Sequence, residues 1–414
     1  MRARSILLVA YFYPPSRDTG ALRPQTMAKY LRRMGHRVTV LTTSAYGSDG
    51  GDEDAVRTAD LQRVRARLHG KSRIDSLYDR DSYAEHPHPL SRVLVPEPLV
   101  LAWAPFALAR ARRLNRRRPF DCVITTSPPE SVHLVGRSLQ RRGVPWIAEL
   151  RDAWRFEPLR PTFPTGFQRR IDQRLELRWL RSADAVVCVS RPVADDLRER
   201  LGIEPVLIPS GWDPEAAPPV TGGGGPFDPD RVSLLYTGRF GSYGRDPAPL
   251  ARALRLLASR DPDAAAGLQL VIAGPLTSGE RALFDGEFAP LKVTIAGTVP
   301  RERALALQRS ADALLLLAAP ARSQLLNFKL FEYLAAGRPI LALAEGTEAG
   351  RIAAEVGAEV APADDPSAIA ATLVRLASGE ITPPDPAAIA PYTYPGPSQR
   401  MAEAVDLAIS RRSH

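Results

Sequence analysis

Cysteine and lysine are both scarce in this sequence. The two cysteines, Cys122 and Cys188, sit in apolar runs and cannot make a disulfide framework. They read as reduced core residues, which fits a cytoplasmic setting. Long apolar runs are missing too. Ile6 to Tyr13 follows two arginines but is only eight residues long and ends in Pro14-Pro15. That is too short for a membrane span and has no signal-peptide cleavage site behind it, so it reads as a first β-strand. There is no G-x-G-x-x-G fingerprint and no recognisable nucleic-acid module, so neither a dinucleotide site of that type nor nucleic-acid binding is expected. D-x-D triplets begin at Asp52, Asp79, Asp228 and Asp261, all in polar loops without a strand leading in. No metal site is expected from them.

What is present points to a large globular chain. The 414 residues suffice for two domains of ordinary size, and 44% apolar with 24% charged residues is a globular composition. The charge is unevenly spread. Residues 1–212 hold 36 Lys and Arg against 23 Asp and Glu, a net +13, and residues 213–414 hold 19 against 23, a net −4. A basic first half suits an anionic neighbour, either a membrane surface or an acidic acceptor. An Arg-rich surface set by codon bias is the plain alternative. Leu99–Arg118 poses the same choice. It starts apolar and runs into Arg110, Arg112, Arg113, Arg116, Arg117 and Arg118. It reads either as a basic amphipathic helix lying on a membrane or as a domain helix with a cationic last turn.

Strands and helices alternate along both halves. Ser5–Ala10, Val38–Leu41, Asp121–Thr126, Trp146–Leu150, Ala185–Ser190 and Val206–Ile208 read as strands. Helices are expected between them over Ala21–Met34, Ser131–Arg142, Ile171–Ala183 and Pro192–Leu201. Residues 44–96 are polar and irregular, and are expected to be a loop of little core value. Pro214 to Asp230, with Gly222 to Gly225, reads as an interdomain linker. Beyond it, strands at Ser233–Tyr236, Leu268–Ala273, Val293–Ala296 and Ala313–Leu317 alternate with helices such as Pro249–Leu257 and Arg301–Ser310, and a last helix covers Pro397–Ile409. This alternation argues an α/β protein with two parallel sheets.

Ser323 to Glu345, SQLLNFKLFEYLAAGRPILALAE, is the most informative stretch. Asn327 is a plausible N-cap, Phe331, Leu334 and Ala335 recur at helical spacing, and Gly337 with Pro339 stops the helix before a buried strand. A helix N-terminus suits a phosphate. Lys329 in the first turn adds a full charge, and Glu332 three residues on shares its face and can accept two ribose hydroxyls. Only Lys29, Lys71, Lys292 and Lys329 are lysines among 55 Lys and Arg, so a lysine here hints that a compact point charge is wanted. An ordinary amphipathic helix with a solvated Lys/Glu pair is the competing reading.

Lys329-Leu330-Phe331-Glu332-Tyr333-Leu334-Ala335-Ala336-Gly337 resembles the donor-binding motif of the retaining GT-B glycosyltransferases called family 4, or glycosyl transferases group 1. In that family two glutamates bracket seven residues, the second holding the nucleotide ribose and the first facing the donor sugar. Glu332 matches the second, whereas Gln324 stands at the first and Leu325-Leu326-Asn327 replaces the usual Gly-Phe-Gly. The resemblance implies the GT-B fold, two Rossmann-like parallel-sheet domains facing a deep cleft. Residues 1–212 would form the acceptor-side domain. Residues 213–390, with 213–230 as linker, would bind the donor, and 391–414 would return to the first domain. It further implies transfer of a sugar from a nucleotide-diphosphate sugar to an acceptor hydroxyl with retention, without metal or other cofactor. Arg239, Arg245 and Lys329 would neutralise the leaving diphosphate as the catalytic cations. Gly20, Gly238, Val299, Gln324, Asn327, Phe328, Leu330 and Glu332 would bind the donor, with the base near Gly297-Thr298-Val299. His133, Arg151 and Asp152 would stand on the acceptor side. The acceptor would be a lipid-linked saccharide or a small-molecule scaffold, with peripheral contact to anionic membrane at the inner face. The rival reading is a catalytically impaired subunit that binds a nucleotide sugar or a partner enzyme.

Overall fold

The structure, a computed structural model, describes residues 2–16, 18–47, 52, 55–63, 93–155, 163–216, 225–241, 244–319, 326 and 328–413. It divides into two compact units: residues 1–210 with 394–414, and residues 211–393.

The first unit holds a seven-stranded sheet. Its strands are β1 (Ser5–Ala10), β2 (Arg37–Thr43), β3 (Ala55–Thr58), β4 (Cys122–Ser127), β5 (Trp146–Leu150), β6 (Ala185–Cys188) and β7 (Val206–Leu207), in the order β3-β2-β1-β4-β5-β6-β7. Every pairing is parallel. Side chains alternate across the sheet, so a strand covered on both faces must be apolar throughout. In β1, Leu7 and Val9 enter one core with Trp103, Trp146 and Trp154, while Ile6 and Leu8 enter the other with Met27 and Leu31. The Gly396–Ser413 helix closes that second core through Met401, Val405 and Ala408. Arg4 fastens it by an ion pair to Asp406 at 2.8 Å.

The second unit holds six parallel strands: β8 (Val232–Thr237), β9 (Leu268–Ala273), β10 (Lys292–Ile295), β11 (Ala313–Leu317), β12 (Ile340–Leu343) and β13 (Glu359–Ala361), ordered β10-β9-β8-β11-β12-β13. In each sheet the strand order reverses beside the first strand of the unit. Ligands of open α/β sheets gather at the carboxyl ends of the strands at such a reversal. The two ends in question are those of β1 with β4 and of β8 with β11.

Three expectations change. Residues 44–96 contain β3, an edge strand paired with β2. Asp60 beyond it is buried and accepts from Tyr11 Oη at 2.9 Å and Thr43 Oγ1 at 2.8 Å, so part of this polar stretch does anchor the core. Leu99–Arg118 is two helices, Leu99–Ala102 and Ala104–Arg117, broken at fully buried Trp103, whose indole donates to Thr58 Oγ1 at 2.9 Å. Ala104, Ala107 and Ala111 face the core, so this is a domain helix. The expected Ile171–Ala183 helix begins earlier and spans Gly166–Leu180, capped by a Thr165/Gln168 capping box. Residues 217–224 of the expected linker lie outside the described residues. Among the described residues, no helix is long and apolar enough to cross a membrane.

Candidate functional site

In the second unit the site grows from the loop after β8. Gly238 adopts φ +95°, a left-handed conformation natural to glycine. Its amide donates to Ala273 O at 2.8 Å, and a Cβ on Gly274 would run into the Gly238 backbone. The carboxyl ends of β8 and β9 are thus pressed together with no room for side chains. On the open side, a Cβ on Gly238 would meet Lys329 Nζ at 2.5 Å and Cε at 2.8 Å. The lysine from the Phe328–Ala336 helix lies directly against this glycine.

Tyr236, in β8, fixes the lysine. The amine sits 4.6 Å from the Tyr236 ring centroid and donates to its hydroxyl at 3.4 Å. Tyr236 stacks on Phe240 with centroids 3.9 Å apart, and its hydroxyl donates to Arg239 O at 2.6 Å. Arg245 closes the loop, Nε donating to Phe240 O and Nη2 to Arg239 O, each at 3.2 Å. Burial pushes the Lys329 amine down to about 7, repulsion from Arg245 adds to this, and Glu332 opposes it. Two cations are therefore held close in surroundings that favour the neutral amine.

Glu332 lies one turn further along the same helix and takes Arg301 Nη2 at 2.8 Å. Arg301 opens the Arg301–Ser310 helix directly after Gly297-Thr298-Val299-Pro300. The carboxylate is thereby tied to the loop expected to carry the base. Val299 is half-buried and packs with Phe328 and Leu326 against the core. Leu330 is fully buried, so its side chain cannot face a donor and only its backbone could. Gln324 and Asn327 lie outside the described residues. The structure brings Gly238, Arg245, Lys329 and Glu332 together, with Arg239 adjoining through its backbone and its side chain exposed. Arg301 was not foreseen, since an exposed arginine at a helix start gives no local signal. Among the described residues, no group of three or more His, Cys, Asp or Glu stands close enough to hold a metal ion.

In the first unit, Gly20 and Arg151 meet at the carboxyl ends of β1, β4 and β5. Arg151 donates from Nη1 to Gly20 O, from Nε to Ser127 O at 3.0 Å and from Nη2 to Pro128 O at 3.0 Å. It stitches three loops together, a positioning task. A Cβ on Gly20 would meet Arg151 Nη1 and Asp18 Oδ1 at 3.1 Å each, so a larger residue there would press on both side chains. Asp152 follows on the same loop, partly exposed. His133 is different. It is fully buried, stacked near Trp154 with centroids 5.9 Å apart, its Nδ1 2.8 Å from Thr125 Oγ1, and burial pushes it down to about 3. It is a neutral core histidine, and the expectation that it faces an acceptor does not fit its position.

Two parallel-sheet units, each with polar loops at its topological reversal and one with a cation pair and a helix-borne carboxylate, define a two-domain Rossmann-like α/β protein. Residues 25–216 match the profile Glycosyltransferase Family 4, and residues 231–379 match Glycosyl transferases group 1. The chain belongs to these GT-B glycosyltransferases. No curated protein matches its sequence. Among solved structures it resembles a sucrose-phosphate synthase from Thermosynechococcus elongatus (TM-score 0.60, 15% identity, 98% of this chain and 99% of that one). It also resembles the trehalose-6-phosphate phosphatase N-terminal domain of Candida albicans (TM-score 0.61, 13% identity, 98% and 97%). A third is a UDP-forming α,α-trehalose-phosphate synthase from Burkholderia vietnamiensis (TM-score 0.54, 15% identity, 99% and 98%). At these identities the likeness is one of fold.

Proposed function

We propose that the second unit binds a nucleotide-diphosphate sugar and that the protein transfers the sugar to an acceptor hydroxyl with retention, without a metal. The observation that carries this is Lys329, whose amine is packed against Gly238 and Tyr236 beside Arg245, one helical turn from Glu332. A departing nucleoside diphosphate gathers negative charge as the anomeric carbon–oxygen bond breaks. Fixed cations stabilise that charge more in the transition state than in the ground state, commonly the largest catalytic effect. Lys329 and Arg245, with Arg239 alongside, supply them. The acceptor oxygen bonds the anomeric carbon from the leaving-group face, and a phosphate oxygen takes its proton. No protein nucleophile is needed in this scheme. Glu332, held by Arg301, accepts the ribose hydroxyls beside the Val299 loop. The UDP-forming neighbour's name says that a nucleoside diphosphate leaves in that protein, which supports the same class of donor here.

A thermal-shift screen of nucleoside diphosphates and their sugars tests the reading. A ligand at about a hundred times its dissociation constant stabilises by about 2.7 kcal/mol. Indifference to every nucleotide would overturn the reading. The second reading, an impaired subunit that binds without turnover, is favoured only by Gln324 in place of glutamate. If Gln324 orients sugar hydroxyls, Gln324→Glu leaves turnover within about tenfold, or about 1.4 kcal/mol. A far larger gain would mark the natural residue as a disabling one.

A further inference from the structure

The first unit carries a groove of about 300 Å³ between three helices, Ala104–Arg117, Val132–Gln140 and Gly166–Leu180. Five of its lining residues are arginines: Arg112, Arg137, Arg141, Arg142 and Arg178. Arg141 and Arg142 lie just ahead of Trp146, the amino end of β5. Arg151 and Asp152 follow that strand's carboxyl end, so the groove and the candidate acceptor loop occupy opposite ends of one sheet.

Among the described residues, none of the five arginines makes an ion pair with a carboxylate. Instead, Arg112 Nε and Nη2 donate to Ser138 Oγ at 3.0 and 2.8 Å, and Arg142 Nη1 reaches the same oxygen at 3.3 Å. Two guanidinium groups thus converge on one neutral hydroxyl. Burial together with mutual repulsion lowers Arg112 (against Arg142 and Arg116) and Arg137 (against Arg141 and Arg178). A helix C-terminus favours a cation in its last turn, which accounts for Arg137 and Arg178 on their own helices but not for Arg112, which lies ahead of the last turn of Ala104–Arg117. The lining also includes half-buried Leu108, Leu134 and Leu175 and buried Trp179.

We propose that this groove binds a phosphate group attached to an apolar moiety. Guanidinium forks match phosphate geometry, and several of them suit a dianion better than a single carboxylate. The volume is at the small end for ligand pockets, room for a phosphate and a few carbons. The leucines and the tryptophan give hydrocarbon an apolar surface that an inorganic ion would leave unused. The source is either a lipid headgroup at a bilayer or a soluble organic phosphate. The inference stands independently of the transferase reading.

The test uses the full chain and three probes: monomeric dihexanoyl phosphatidic acid, inorganic phosphate, and vesicles of phosphatidylcholine with or without phosphatidic acid. Arg137→Gln/Arg141→Gln/Arg178→Gln alters the groove. Arg113→Gln/Arg117→Gln/Arg118→Gln removes equal charge from exposed positions that do not line it. Calorimetry and vesicle co-sedimentation should show phosphatidic acid binding that falls at least about tenfold in the groove variant and stays within about twofold in the control. Groove-dependent binding to vesicles alone assigns the source to a bilayer, and to the monomer alone assigns it to a soluble compound. Equal losses in both variants would reduce the groove to general surface charge and overturn the proposal. So would absence of binding to every probe, or inorganic phosphate binding as tightly as the amphiphile. An unchanged melting temperature in both variants shows that lost binding is not lost folding.

Discussion

The first unit holds a buried cation and the second a half-buried one, and the two are treated in opposite ways. In the first unit, Arg23 is buried and bound on every side. Nε and Nη2 donate to Glu149 Oε1 at 3.0 and 2.8 Å, Nη1 to Pro209 O at 2.8 Å and Nη2 to Ile208 O at 2.9 Å. Although desolvation is the largest influence on it and disfavours the charge, Glu149, together with Tyr394 and Cys188, more than offsets it, so Arg23 stays raised. In the second unit, Lys329 faces an aromatic ring and a neighbouring arginine, and its amine is pushed down to about 7. Arg23 is a cross-link whose acceptors belong to the fold. Lys329 is a charge that gains from an incoming anion. A buried ion pair is weak evidence for net stability, yet breaking one is costly. That difference makes the contrast measurable.

The largest effect should come from Glu149→Ala, which leaves Arg23 buried beside its two carbonyls. Chemical denaturation should show a loss of about 3–5 kcal/mol. Replacing both partners, as Arg23→Met/Glu149→Leu, should cost less than the single change. A single variant as stable as the parent would break the comparison from the first unit's side.

Lys329→Met is the counterpart. Transfer activity should fall about 10²–10³-fold with no loss of stability. Because the folded value of about 7 lies below the ordinary 10.5, the unfolded chain holds the extra proton between those two values. Stability from this group therefore rises with pH across that window and is flat below about 7, and Lys329→Met should abolish the rise. A methionine variant that unfolds readily would make Lys329 a second Arg23.

Gly238→Ala sharpens the geometry around the lysine. A residue other than glycine at φ +95° costs about 1–2 kcal/mol, and the added methyl would push into Lys329. Stability and donor affinity should fall together, whereas Gly279→Ala, with open space around its Cβ, should leave donor affinity unchanged. Smallest should be Arg301→Ala. Its partner Glu332 is mostly buried but Arg301 is about half exposed, so the pair contributes about 0–1 kcal/mol to stability. Nucleotide binding should weaken more in Glu332→Ala than in Arg301→Ala if the arginine only holds the carboxylate in place.

Much of the candidate site in the second unit was legible because it is local. Lys329 and Glu332 share one helix face, and Gly337 with Pro339 marks its end, all within a dozen residues. The glycine and arginine after β8 were legible for the same reason. What the sequence concealed is what the fold assembles from distant pieces. Arg301 reaches Glu332 across 31 positions. The groove arginines come from three helices and their ends, and only Arg112 lay in a stretch that stood out, the arginine run of Leu99–Arg118. His133 was placed on the acceptor side by the resemblance alone, whereas a lone histidine is more often structural, and here Trp146 and Trp154 flank it. The early start at Gly166 was readable in principle, since Thr165 and Gln168 have capping-box spacing. The strand β3 was hidden because it lies on a sheet edge, half-exposed, and needs no continuous apolar run.

Calorimetry of donor binding tests the central claim most directly, using whichever nucleotide sugar gives the largest thermal shift, in buffers of different ionisation enthalpy. Its pyrophosphate carries no group that titrates near neutrality, so the protein supplies any proton change. At about pH 8, binding should take up close to one proton, little at about pH 6, and none at either pH in Lys329→Met. Uptake that persists in the methionine variant, or none at about pH 8 in the parent, would contradict the assignment of Lys329 to the diphosphate.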